Sequence, residues 1–160
     1  MRVFDASSVI HAWDNYPITQ FPGLWEWMAK EIEDGEIVMP RVAFEEALSK
    51  SPDCGKWLKN HEVVRLELTN DIMQDAVRIK GLIGVVGDQY HPRGVGENDI
   101  LIIAAARAHG VELVSEESSQ PTLPKEPAKR KIPAVCEMVQ VAVSCISFIK
   151  FIRQSGQVFR

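Results

Sequence analysis

Short apolar runs (Arg2–Phe4, Glu36–Met39, Val63–Leu68 and Val111–Val114) alternate along this chain with longer segments whose apolar residues recur every three to four positions. Runs this short suit buried strands. The segments between them are long enough for the helices that carry one parallel strand over to the next. The alternation predicts an α/β protein, a three-layer α/β/α arrangement around a central parallel sheet of four to five strands. With 160 residues, 46% of them hydrophobic and 25% charged, the chain has the material for one core and not for two. No repeat, linker or low-complexity tract divides it, so residues 1–160 are read as a single domain.

The helical segments mark their own ends. Ser8–Trp13 is read as a brief helix closed by Asn15-Tyr16-Pro17. Pro22-Gly23 opens a second, with Leu24, Trp25, Met28 and Ile32 on one face. Pro40 starts a third carrying Phe44, Glu45 and Glu46, and Ser51-Pro52-Asp53 a short one through Leu58. Thr69 and Asp71 suit the cap of a helix through Met73, Val77 and Ile79. From Asn98 a strong helix runs through Ile100, Ile102, Ile103 and Ala104 to His109-Gly110. Ile132–Met138 is read as a short helix, Val141–Cys145 as a fifth strand and the segment through Phe148, Phe151 and Ile152 as the terminal helix. Gly81–Gly96 and Ser118–Lys131 are rich in Gly, Pro and polar residues and are read as loops.

Composition narrows the available functions. Eighteen Lys and Arg against 22 Asp and Glu give a formal charge of -4. No overall basic field holds nucleic acid, so any such role must be local and metal-assisted. Cys54, Cys136 and Cys145 form no CxxC pair and no disulfide framework, which suits reduced thiols. Asp5 comes before any apolar run long enough for a signal peptide. Val135–Ile152 is broken by Glu137, Gln140, Ser144, Ser147 and Lys150 and is read as core, not as a membrane span. The expectation is a soluble cytoplasmic protein without a membrane partner.

Ligands of open parallel sheets collect at the carboxyl ends of the strands, and the acids fall there. Asp5 follows the first strand, Glu45 and Glu46 lie in the helix after the second, and Glu116 and Glu117 follow the fourth. Asp99 sits in the first turn of the helix feeding that fourth strand. Each alone has an ordinary role: Asp5 as an N-cap, Asp99 and Glu97 as charges favoured at a helix N-terminus, the others as solvated surface. Their joint placement argues for chemistry. Two carboxylates about 4 Å apart repel by roughly 4 kcal/mol at an effective dielectric near 20. Several around one cavity therefore need protons, a basic neighbour or a cation. These acidic motifs contain no basic residue, which favours a cation, and an all-oxygen ligand set suits Mg2+ or Mn2+. His11, His61, His91 and His109 are scattered and are read as surface or packing residues, not zinc ligands.

Phe4-Asp5-Ala6-Ser7-Ser8-Val9-Ile10 resembles the opening motif of the PIN-domain ribonucleases, an apolar strand, an Asp and a small hydroxyl or amide residue two positions later. Asn98-Asp99-Ile100-Leu101-Ile102-Ile103-Ala104-Ala105 resembles that family's third acidic motif. Val111-Glu112-Leu113-Val114-Ser115-Glu116-Glu117 resembles its next strand and closing hydroxyl-x-acid motif. Tyr16-Pro17 and Pro22-Gly23-Leu24-Trp25-Glu26-Trp27 are similar to a PIN-like (VapC-like) branch of bacterial toxin–antitoxin pairs. The likeness extends through Ile132-Pro133-Ala134-Val135-Cys136 and covers essentially the whole chain.

The resemblance implies a PIN-like fold and metal-dependent endoribonuclease activity, as the toxin of such a pair. Asp5, Glu46 and Asp99 would hold Mg2+ or Mn2+, with Glu45 the substitute for Glu46 if the helix register differs. Glu117 fits the closing acid position, where the family usually has Asp; with Glu97 it is a candidate for a second ion, and Glu116 is a weaker one. Ser7 and Ser115 would orient a carboxylate or a metal-bound water. The implied partners are an RNA substrate, a cognate antitoxin and a second copy in a homodimer. Arg41, Arg93 and the Lys125–Lys131 cluster are candidate phosphate contacts, the alternative for the cluster being a solvated loop. Trp27, off the apolar helix face, is read either as an exposed partner surface or as covered by Ser51–Asn60. The alternative function is a catalytically degenerate PIN-like module that binds RNA or a protein without cleavage, which the Glu at the closing position keeps open. Phosphotransfer on Asp5 would need a second Asp where Ser7 stands.

Overall fold

The computed structural model describes all 160 residues. Five short strands form one sheet: β1 (Arg2–Phe4), β2 (Ile37–Pro40), β3 (Val64–Leu66), β4 (Leu113–Val114) and β5 (Cys145–Ile146). Every pairing is parallel and the order is β3-β2-β1-β4-β5. Val3 in the centre stands beside Val38 on one side and Leu113 on the other. Eight helices cross over between the strands or follow them: α1 (Ala6–Asn15), α2 (Pro22–Glu33), α3 (Arg41–Lys50), α4 (Pro52–Asn60), α5 (Asn70–Leu82), α6 (Glu97–His109), α7 (Ile132–Cys136) and α8 (Phe148–Ser155). This is the expected three-layer α/β/α fold. Strands β1 to β3 build outward in one direction and β4 and β5 in the other. The order therefore reverses between β1 and β4, and such a reversal opens a crevice at the strands' carboxyl ends.

The central strands have both faces covered, so Val3, Phe4, Ile37, Val38 and Met39 are all buried. Helix α6 is apolar around most of its circumference, and every residue from Ile100 to Ala106 is buried. It packs against α5, α3, α7 and β1, and its alanines allow that close approach. The helix stops at Gly110, whose φ of +62° an L side chain would disfavour. Thr69 caps α5, its hydroxyl accepting from the Ile72 N–H at 3.3 Å. No helix is long and apolar enough to cross a membrane.

Several strands and helices are shorter or longer than expected by a few residues, the first helix and the fifth strand among them. The first helix spans Ala6–Asn15, longer than Ser8–Trp13. The fifth strand starts at Cys145, because Ala142 turns with φ +50° and the Ala142 and Val143 N–H groups donate to the carbonyls of Met138 and Cys136. Trp27 is half-buried but not under Ser51–Asn60. It stacks on Phe151 at 5.3 Å and meets Phe159 at 5.3 Å, while Trp57 of α4 packs edge-on against Trp25 at 4.8 Å.

Candidate active site

Strand β1 ends on Asp5, which the sheet places in the middle of the molecule and leaves only 3% exposed. Asp5 stands at the N-cap position of α1, yet its side chain makes no cap bond. Its Oδ2 instead accepts the hydroxyls of Ser7 at 2.6 Å and Ser115 at 3.0 Å. Those serines are held from the neighbouring strand end: Ser7 Oγ accepts the Glu116 N–H at 3.0 Å, and Ser115 Oγ accepts the Glu117 N–H at 3.2 Å. The two hydroxyls thus tie the end of β1 to the end of β4 and fix the carboxylate between them. No hydrogen bond engages Oδ1. Since Arg130 Nε is the single buried side-chain N or O without a partner, Oδ1 opens onto solvent in the cleft beside it.

That cleft, about 390 Å3 in volume, is lined by Asp5, Ser7, Glu46, Asp99 and Glu117. All four principal acids read from the sequence, delivered by four separate segments, meet there. Helix α3 turns Glu46 inward and leaves Glu45 exposed, which settles the register between them. Asp99 enters from the first turn of α6, where its Oδ2 also accepts the Gly96 N–H at 2.9 Å. Its ordinary role at a helix N-terminus and its place in the cleft are both real. Burial pushes the Asp5 carboxyl above its usual range, against the pull of its two hydroxyl bonds, and the charges of Glu46 and Glu117 push the same way. Burial is also the main reason Asp99 is raised to about 6; the Gly96 N–H opposes it, while Asp5, Glu117 and Glu46 add to it. The cleft disfavours its own negative charge.

The remaining candidates lie elsewhere. Glu97 is exposed and faces the side chains of α5 beside Tyr90. Glu116 accepts the Phe148 N–H at 2.5 Å and holds the start of α8. Arg41 pairs with Glu67 on the surface, and Lys125 is exposed.

One sequence expectation is overturned: the acids do have a basic neighbour. Lys50 lines the cleft and forms an ion pair with Glu46 one turn earlier on α3. Its ammonium is held above its ordinary value, first by that bond and further by the charges of Asp99 and Asp5. The i,i+4 spacing of Glu46 and Lys50 was the signal for it. Asp14, His11 and Asn15 also line the cleft, and no acidic motif marks them in the sequence. Asp14 follows Ser7 and Ile10 on one face of α1 at spacings of three and four. As the side chains stand, no three His, Cys, Asp or Glu form a ready-made group for a metal ion.

No curated protein is similar enough to match. Among solved structures, the chain is similar to PAE2754 from Pyrobaculum aerophilum, with 16% identity and a TM-score of 0.52 over 98% of this chain and 97% of that one, a likeness of fold. Residues 3–159 match the family described as a domain of unknown function (DUF4411), and the chain belongs to that family.

Proposed function

We propose that this member of the DUF4411 family is a metal-dependent endoribonuclease whose active site is the acid cleft between β1 and β4, acting as the toxin of a toxin–antitoxin pair. The observation that carries the reading is the Asp5 carboxylate, buried, pinned through Oδ2 by two serines and open to the cleft through Oδ1. Burying a charge in this way is costly unless a partner compensates it. The donor set fits a hard divalent cation, because it is all carboxylate oxygen and contains no thiolate or imidazole pair. Asp5, Glu46 and Asp99 would hold Mg2+ or Mn2+, with Glu117 beside them on the same cleft. Held by these carboxylates, such a cation would supply Lewis-acid polarisation of water and compensation for negative charge growing on the scissile phosphate.

The chain's own residues do the positioning. Ser7 and Ser115 lock the Asp5 carboxylate so that one oxygen always faces the cleft. Asp99 is anchored to the Gly96 N–H, which fixes it relative to the α6 N-terminus. Lys50 balances Glu46 and adds a positive charge where a phosphate would approach an otherwise acidic surface. The PIN-like motifs around Asp5, Asp99 and Ser115 support the RNA substrate, and the toxin assignment rests on that resemblance alone.

Purified protein should cleave single-stranded RNA only with Mg2+ or Mn2+. Asp5→Asn should lose more than about 100-fold of the rate, beyond what loss of a residue that merely supports a ligand costs, while retaining the fold. An Asp5→Asn protein as active as wild type, free of contaminating nuclease, overturns the assignment. A second reading, the non-cutting module, is favoured by one observation: Lys50 already neutralises Glu46 in the cleft. RNA binding without cleavage at any Mn2+ concentration would select it.

A further inference from the structure

A larger cavity of about 550 Å3 lies beside the acid cleft, and the two share a wall, since Asp99 and Glu117 line both. Its volume is that of a ligand pocket. The far side is basic: Arg93, Lys129 and Lys131 line it, in a chain whose formal charge is -4. Arg93 and Lys131 form no ion pair, and Lys129 has only a 3.5 Å contact with Glu126.

The wall is built, not a chance meeting of loops. The Val95 N–H donates to the Arg130 carbonyl at 3.0 Å, joining the 83–96 loop to the 118–131 loop. Gly94 lies so close to the turn at Pro127–Lys129 that a Cβ there would sit 1.8 Å from the Ala128 carbonyl oxygen. Gln120 clamps the same turn from the other side, donating Nε2 to the Lys129 carbonyl at 3.2 Å and accepting the Lys131 N–H at 2.7 Å. Arg130 is turned inward, its Nη1 donating to the Ala134 carbonyl at 3.4 Å and its Nε buried. The basic cluster is therefore divided: Lys129 and Lys131 face the cavity with Arg93, and Arg130 does not.

We infer that this cavity is the subsite for the nucleotide flanking the cut in single-stranded RNA, with Arg93, Lys129 and Lys131 holding its phosphate; the inference rests on the nuclease reading of the neighbouring cleft. The order of charge supports it. A phosphodiester chain crossing the shared wall meets a cation-binding cleft on one side and three unneutralised or weakly neutralised cations on the other. Lys125–Lys131 is not one patch: Lys129 and Lys131 line the cavity, Arg130 points away from it and Lys125 is exposed outside it.

The test compares full-length wild type with Arg93→Gln and with the Arg93→Gln, Lys129→Gln, Lys131→Gln triple variant, in cleavage of a single-stranded oligoribonucleotide with Mn2+. The triple variant should raise KM at least about 10-fold with kcat within about threefold, and leave the Mn2+-induced rise in Tm unchanged. The slope of log kcat/KM against log salt should flatten by about 2, at roughly 0.7 per lost single-strand phosphate contact. If the triple variant melts well below wild type, Arg93→Gln alone, on a separate loop, carries the test with a flattening of about 0.7. Unchanged KM and slope with cleavage intact overturn the subsite and leave the nuclease standing. A wild type that neither cleaves RNA nor responds to Mn2+ overturns both. Polyglutamate that competes as well as unlabelled RNA of equal charge would assign the cavity to an acidic protein segment and overturn the RNA subsite.

Discussion

Asp99 carries two roles at once, accepting the Gly96 N–H at the start of α6 and facing three other carboxyls across the cleft. Its carboxyl is raised from 3.8 to about 6, and Asp5 is raised as well. A carboxyl raised in the folded state prefers to be protonated there. Its stabilising contribution is complete below the unfolded value and is lost as pH rises through the folded one. The metal-free protein should therefore lose stability between about pH 4 and about pH 6, by on the order of 3 kcal/mol from Asp99. Asp99→Asn should flatten that part of the profile in urea melts taken across the range, since its amide oxygen still accepts from Gly96. A profile unchanged by the substitution contradicts the raised carboxyl. Asp5, Asp99 and Glu117 were legible because each follows a strand or opens a helix at the end where ligands gather, whereas Glu46, in the second turn of α3, was singled out by the resemblance. Lys50 stands outside the acidic motif in sequence and joins it only on the face of α3, one turn after Glu46.

At the scale of elements, periodicity located the helices well, because capping residues and glycines bracket them: Pro22, Thr69, Gly96 and Gly110 stand at element ends. The fifth strand was displaced because Val141 and Val143 alternate and are buried, as in a strand, while Ala142 sits in the left-handed region that breaks one. Alternation reports burial, and burial alone does not make a ladder. The 83–96 and 118–131 loops looked polar and unstructured, and nothing in either stretch announced that they lock together. Gly94→Ala should expose that lock. With no room for a Cβ beside Ala128, it should cost about 1–3 kcal/mol in urea denaturation, the usual penalty for overpacking. A variant as stable as wild type would show that the two loops are not held in contact.

Over the whole molecule, short apolar runs and crossover helices were sufficient to predict a parallel α/β/α fold, but not the strand order. The reversal between β1 and β4 is a tertiary fact, set by which way each crossover packs, and it is what brings Asp5 and Ser115 side by side. The acid cleft and the basic cavity follow from that reversal as neighbours on one crevice. Titration of Mn2+ into the metal-free protein, followed by calorimetry and by Tm, shows whether the acid cleft binds a divalent cation. Wild type should bind with release of protons at pH 6 and gain about 2.7 kcal/mol of stability at a hundredfold excess over Kd, and Asp5→Asn should do neither. Equal responses from wild type and Asp5→Asn, or none from either, would contradict cation binding in the cleft.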